Sequence, residues 1–489
     1  MFSHPGTRCL LVLLFIFAAS GVSGQNDELQ KKINEAIDRG VANLKGLGVR
    51  GTWGDHPFFS NGMTALAAWT LLESDVSEKD QVVQKAAAHL RREAVKLEQT
   101  YTQALAILFF DRLGDPGDEA LIQALGVRLL AGQRNAGTWT YFSKWGDQSD
   151  LDWLRKHVEE AERQRQAGTA PAAKNTLLPQ IREQLDRLKK AEIDRSQAGD
   201  NSNTQFAMLA LWVARRHGLP VDDAMAKVAS HFRHSQHPGG GWGYSTGFAY
   251  MAPRATMTCA GLLGLALGKG VQGKKAGKEE SLHKDPMVAR GLRLLGEVLK
   301  NPDGPGQKAL LEKPGRFHYF LFSLERMAVV YNLKKIGDKD WYEWGARILV
   351  DKQNKDPKNA AVDGSWTGEH GAADTCFALL FLKRANVAHD LTLDLNPIIK
   401  TPNKKKIKKS EREKDPFDLP PDKEKKKIKI RPKDKDMQTS RLLPRNGFNP
   451  LSRSYVYLEE TACREPRRSA RRSVCPENSF LSAYGSHPA

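Results

Sequence analysis

The sequence predicts an all-α protein, a double ring in which six inner helices alternate along the chain with six outer ones. Three observations predict it. A glycine–tryptophan unit recurs, as GTWGD at 51–55, AGTWTY at 136–141, GGGWGY at 239–244 and DGSWTG at 363–368. After each unit, across a loop of variable length, comes a segment apolar nearly all round, the mark of a helix buried on every side. Between those segments lie stretches with one apolar stripe at helical spacing, which suits helices with one face on the core and the other in water.

In chain order, residues 1–24 precede the fold. An apolar run from Cys9 to Ala19 ends in the small residues SGVSG, ahead of Gln25. An apolar core of about 7–15 residues with a small-residue exit is a secretory signal, whereas a spanning helix needs about 20. Cleavage near Gly24 is expected, giving a secreted or periplasmic (extracytoplasmic) protein with no integral membrane span after cleavage.

The first outer helix carries its stripe at Leu29, Ile33, Ile37, Val41 and Leu44, and the other five fall near 80–97, 117–132, 222–236, 286–300 and 340–352. The inner helices are GMTALAAWTLL (62–72), TYTQALAILFF (100–110), NTQFAMLALWV (203–213), TMTCAGLLGLAL (256–267), the more divergent HYFLFSLERMAVVY (318–331) and ADTCFALLFL (373–382). Residues 145–198 interrupt the alternation. Their two segments are highly charged with narrow stripes (Leu151, Leu154, Val158; Leu178, Ile181, Leu185, Leu188), which predicts an inserted helical hairpin projecting from the body. The ring domain thus spans 25–386, and 387–489 form a basic C-terminal tail.

That tail is expected to be disordered, because 400–436 hold too little apolar surface to offset the entropy of ordering. Residues 400–436 contain 16 Lys/Arg against 8 Asp/Glu, and 437–489 contain 8 Arg against 4 Glu and no lysine. Two thirds of the net charge of +18 therefore sits in residues 400–489, and the body is nearly balanced. The charge points to an anionic surface or polymer as partner of the tail: cell-wall polymer, lipid head groups or nucleic acid. Outside the leader, Cys259, Cys376, Cys463 and Cys475 are too few for a disulfide scaffold, so an apolar core must carry stability.

The glycine–tryptophan units have an upstream partner. Gln133 precedes Gly137 and Trp139, and Gln236 precedes Gly240 and Trp242, both as Q-x3-G-x-W. Gln353 precedes Gly364 and Trp366 across a longer spacer, and Trp53 has no glutamine ahead of it. The pattern resembles the QW motif of the prenyltransferase and squalene-oxidase repeat family, which includes terpenoid cyclases and the β subunits of protein prenyltransferases. The resemblance covers about residues 28–386 and implies an α/α toroid, in agreement with the twelve helices counted from periodicity. The motif's role is structural: glutamine satisfies backbone groups at a helix end, the indole packs over it, and glycine allows the tight turn. HPGGGWGYSTG (237–247) lacks the G-x-x-x-x-G-K-S/T pattern of a phosphate loop.

The chemistry of the family is not carried over with its fold. Cyclases use an acid in D-x-D-D; here the nearest sequence is Asp150-Leu151-Asp152-Trp153, in the insertion. Prenyltransferases hold zinc through D-x-C and a later His. Asp374 and Cys376 have that form, and His318 would complete a three-ligand set, but Asp374 also suits a helix N-cap and Cys376 a buried core position. No cofactor is predicted. In a toroid the inner helices run parallel, so their N-termini share one rim with partial positive charge and unpaired N–H groups. Loops entering that rim bring Trp53, His56, Tyr101, Trp242, Tyr244, Tyr250, Arg254, His318, Tyr319 and Asp374, which suit an anionic or glycan-like ligand. The expectation is an exported, non-cyclising toroid protein that binds a ligand or partner at this rim. The alternatives are a terpenoid-cyclase-like or prenyl-transferring enzyme, and a polysaccharide-processing enzyme using Tyr319, His318 and Arg254.

Overall fold

The computed structural model describes residues 10–54, 57–169, 176–245, 252–272, 284–302, 316–368 and 371–384. The expected tail at 387–489, and His56 and Tyr250 of the expected rim, lie outside these residues. Fourteen helices are described: α1 Leu10–Leu47, α2 Pro57–Glu73, α3 Gln81–Ala94, α4 Thr100–Leu113, α5 Glu119–Gly132, α6 Gln148–Gln166, α7 Pro179–Lys190, α8 Asn201–Ala214, α9 Asp222–Ser235, α10 Ala255–Gln272, α11 Pro286–Lys300, α12 Phe317–Val330, α13 Trp341–Lys352 and α14 Ala372–Lys383. Among the described residues the sole sheet is a two-stranded ribbon, Lys335–Ile336 antiparallel to Lys339–Asp340. The protein is all-α. Among the described residues no helix is long and apolar enough to cross a membrane.

The six segments read as apolar all round are α2, α4, α8, α10, α12 and α14. α2 packs on α4, α4 on α8, α8 on α10, α10 on α12, α12 on α14, and α14 back on α2, so the contacts form a closed cycle. Aromatic rings reach across its middle: Phe322 of α12 meets Trp69 of α2, Phe206 of α8 and Phe377 of α14, with ring centroids 6.3, 5.6 and 5.1 Å away. The remaining helices flank this set. α1 packs on α14 and α2, α3 on α2 and α4, α5 on α4 and α8, α9 on α10 and α8, α11 on α10, and α13 on α14.

One link recurs between flanking and buried helices. The Nε1 of Trp53, Trp139, Trp242 and Trp366 donates to the carbonyls of Leu44, Leu129, Phe232 and Leu349, at 2.9, 2.7, 2.9 and 2.8 Å, near the C-terminal ends of α1, α5, α9 and α13. The backbone N–H of each Trp donates to a threonine of the following buried helix: Thr64, Thr204, Thr258 or Thr375. Each indole therefore adds a donor at a helix end, where carbonyls lack partners within the helix; that of Leu44 also accepts the Gly48 N–H at 3.0 Å.

The glutamines tie each flanking helix to the next one. Nε2 of Gln133, Gln236 and Gln353 donates to the carbonyls of Ala224 (α9), Met287 (α11) and Ala36 (α1). Three residues further along the same helices, the carbonyls of Lys227, Arg290 and Arg39 press on Gly137, Gly240 and Gly364. A Cβ on these glycines would lie 2.3, 2.8 and 2.4 Å from those oxygens, and their φ angles are +85°, +91° and +77°. The third link joins the last repeat to the first helix of the chain. It is reinforced by Arg39, whose guanidinium donates to Gln353 Oε1, and by Asn43, which donates to the carbonyls of Ala360, Ala361 and Asp363.

The second repeat has no tryptophan, and Arg128 of α5 replaces it. Its guanidinium donates to the carbonyls of Ala94, Val95 and Leu97 at the end of α3, and burial pushes its pKa down to about 10.

The expected stripe of α1 faces the core: Leu29, Ile33 and Leu44 are buried, and Ile37 and Val41 are half-buried against it. Ala36 and Gly40 are buried beside them, and a Cβ on Gly40 would lie 2.8 and 2.9 Å from Trp366 and Leu379. One expectation needs correcting. The charged insertion does not project. α6 and α7 pack along α5, burying Leu154, Ala161, Ile181 and Leu185, so that α5 is enclosed and does not face water. A buried ion cluster holds the hairpin down: Arg91 of α3 and Arg165 of α6 both reach Asp115 and Asp118.

Gly364 and Gly114 separate the two demands made on such glycines. Both have positive φ, but a Cβ on Gly114 would meet nothing within 4 Å. Gly114→Ala should cost about 1–2 kcal/mol from the left-handed backbone, and Gly364→Ala roughly 2–5 kcal/mol because overpacking against α1 is added. Chemical unfolding of the two variants measures this. Equal losses would show that the contact with α1 is not a close one.

Candidate functional site

The N-terminal ends of several buried helices come together, and hydrogen bonds trace the meeting. Tyr101, the second residue of α4, donates its hydroxyl to Ser202 Oγ of α8 at 2.6 Å, and Ser202 Oγ lies 2.7 Å from the Tyr319 hydroxyl of α12. Tyr319 also donates to Gln205 Oε1, and Gln205 Nε2 donates to Ser323 one turn deeper. This chain of hydroxyls and amides spans the middle of the cycle. Below it Phe206, Phe322 and Phe377 fill the centre with apolar rings. Arg326 lies deeper still, its guanidinium 4.5 Å from the Phe322 ring centroid and 5.6 Å from that of Trp69, ion-paired with Glu325. Burial lowers the Arg326 pKa to about 9.

Beside this chain sits Asp200, the N-cap of α8. Its Oδ1 accepts from the backbone N–H groups of Ser202 and Asn203, and its Oδ2 from Asn203 Nδ2 at 2.8 Å. The Tyr244 hydroxyl is a further hydrogen-bond partner. Burial raises the Asp200 carboxyl to about 6, against the opposing pull of these donors. Tyr244 continues outward: its hydroxyl is 3.0 Å from that of Tyr141, and the Arg254 guanidinium lies 5.5 Å from its ring centroid. Burial and the neighbouring Asp200 hold the Tyr244 hydroxyl well above its ordinary pKa, so it stays protonated as a donor. Tyr141, Tyr244 and Arg254 are half-buried, and next to them the loop after α5 presents Phe142, Lys144 and Trp145.

The expected rim residues divide three ways. Tyr244 and Arg254 stand together at the half-buried edge. Tyr101 and Tyr319 lie just beneath, each 2% exposed, bonded through Ser202. Trp242 and Trp53 do not face a ligand: both indoles are buried and bonded to helix-end carbonyls, so they belong to the links between helices.

His318 and Asp374 meet each other, Nδ1 to Oδ1 at 3.0 Å. Cys376 does not join them. Its buried thiol bonds with Thr70 and is pushed up to about 12, chiefly by burial. Among the described residues no group of three His, Cys, Asp or Glu side chains is placed to hold a metal. The set Tyr319, His318 and Arg254 also divides, since His318 turns to Asp374 while Arg254 covers Tyr244.

Asp200, Tyr141, Ser202 and Gln205 were not anticipated. Asp-Asn-Ser-Asn ahead of an apolar run is legible as a helix start. Nothing in the order of residues shows that tyrosines 141 and 244 converge on it. Comparison with protein-family models and with curated protein sequences gave no match.

The raised Asp200 pKa has a definite sign. The folded state takes up this proton near pH 6, and the unfolded state at an ordinary value of 3.8. The ionised side chain thus lowers stability above pH 6, and the loss is recovered as pH falls toward 4. Asp200→Asn keeps the N-cap, and rotation of the Asn203 amide would offer the new donor its Oδ1, which has no partner among the described residues. The variant should gain about 2 kcal/mol relative to wild type between pH 4.5 and pH 8, read from chemical unfolding at both values. A difference that does not change with pH would show that Asp200 titrates normally.

Proposed function

We propose that this chain is an exported α/α toroid of the QW-repeat kind that binds a polyhydroxylated, glycan-like ligand at the rim where its inner helices begin. The observation that carries the reading is the edge formed by Tyr141, Tyr244 and Arg254 over Asp200. Sugars are recognised by aromatic faces together with fixed hydroxyl, carboxylate and guanidinium partners, and that edge supplies each kind. The closed cycle of six buried helices and the repeated Trp and Gln links support the toroid. A non-cyclising role is supported by the filled centre, where Phe206, Phe322 and Phe377 occupy the space a buried hydrocarbon substrate would need, and by the lack of D-x-D-D. The leader at 1–24 would direct export, and the basic segment 387–489 would hold the protein to an anionic polymer or surface. An enzyme acting at the same rim is the second reading, favoured by the His318–Asp374 pair.

Titration calorimetry against a panel of neutral and acidic soluble polysaccharides tests this. Tyr244→Phe removes one hydroxyl and should weaken binding roughly 5–10-fold, the weight of one hydrogen bond. Removal of residues 400–489 should abolish salt-sensitive binding to polyanions and leave the affinity for a neutral glycan unchanged. Binding that survives Tyr244→Phe and Arg254→Ala but is lost with the tail would overturn the reading.

A further inference from the structure

His318 and Asp374 are paired in a way that no other described histidine is. They are the second residue of α12 and the third of α14, helices adjacent in the cycle. The imidazole Nδ1 lies 3.0 Å from Asp374 Oδ1. A carboxylate only accepts hydrogen bonds, so Nδ1 carries a proton, and in the neutral imidazole Nε2 presents the lone pair. Among the described residues Nε2 has no hydrogen-bond partner, although the side chain is only 9% exposed. His217, also enclosed, differs: both its nitrogens are taken, by Glu119 and Asp111. His231 donates Nε2–H to Asn201 Oδ1, an amide and not a carboxylate. Gly368 makes room for the pair, since a Cβ there would lie 2.5 Å from the Asp374 carboxyl group.

We propose that His318 is the proton-accepting residue of the rim. Its Nε2 receives a hydrogen bond from a hydroxyl of the bound ligand, or from a water beside it. Where it takes that proton, the O–H bonding pair stays on oxygen and the imidazole lone pair forms the new N–H bond. Asp374 is the positioning residue, fixing the tautomer and the ring plane and facing the charge that then develops. The nature of the donor rests on the glycan reading of the rim; the unpartnered Nε2 does not.

Diethyl pyrocarbonate provides the test on the full-length native chain. The attacking imidazole nitrogen bonds to the reagent's carbonyl carbon and displaces ethyl carbonate, so carbethoxylation reports an accessible lone pair, and peptide mass spectrometry resolves each histidine. His318 should react within about tenfold of the exposed His234, and His217, whose two nitrogens both donate to carboxylates, roughly tenfold or more slower. His318 reacting as slowly as His217 would mean that the pair is only a brace between two helices, and would overturn the proposal whether or not a glycan binds. Spectra of 15N-histidine-labelled protein should show the Nδ1–H tautomer at His318. Asp374→Asn should shift that balance or slow His318 without moving the unfolding midpoint. An unchanged spectrum and rate would remove Asp374 from the assignment.

Discussion

The structure depends on how closely one helix backbone can approach the turn that follows another. At Gly137, Gly240 and Gly364 the carbonyl of the next flanking helix occupies the space of a Cβ, and the chain passes in a left-handed conformation that other residues adopt at a cost. That approach brings the adjacent glutamine within reach of a carbonyl one turn away and sets the indole over its own helix end. Tryptophan, glutamine and glycine therefore act as one device. The glycine fixes the distance, and the two side chains supply the hydrogen bonds that the distance allows. Where the device is missing, in the second repeat, a guanidinium has to be buried to satisfy the same kind of carbonyls.

The arrangement of the polar edge follows from this spacing. Four of the six buried helices, α2, α8, α10 and α14, are hung from a tryptophan through a threonine. Side chains on the first turns of α4, α8, α12 and α14 then meet, and the polar ones find each other as Tyr101–Ser202–Tyr319 and His318–Asp374. One turn deeper the facing positions are mostly phenylalanine, so chemistry is confined to the layer where the helices begin.

Much of this was legible in the order of the residues, and what was not has physical reasons. Helices apolar on every side were found because burial leaves a compositional trace, and the tryptophan turns because glycine at positive φ is hard to replace. The stripe of α1 was legible in its large apolar residues, but the close contact of Gly40 with Trp366 was not, because a periodicity argument gives small residues no weight. The hairpin was misread because its charges looked solvated; Arg165 is matched by Asp115 and Asp118, nearly 50 residues earlier. Asp374, Cys376 and His318 were singled out as a metal set on a sequence pattern, yet whether three ligands converge depends on side-chain direction. Cys376 points to Thr70 instead. Asp200 escaped notice because its neighbours come from loops far along the chain.

The third of the links has a different kind of consequence. Gln353 reaches Ala36 across 317 positions, and Asn43 reaches the same late segment. In an open repeat array each unit needs only its neighbours, and assembly can proceed from one end as the chain emerges. Here the first helix cannot acquire its partners until the last repeat has been synthesised. Until then its seam, and the exposed side of α2, are uncovered apolar surface. Such a chain should fold late and all at once, and it would need to be kept from aggregating during synthesis and any transport that precedes closure.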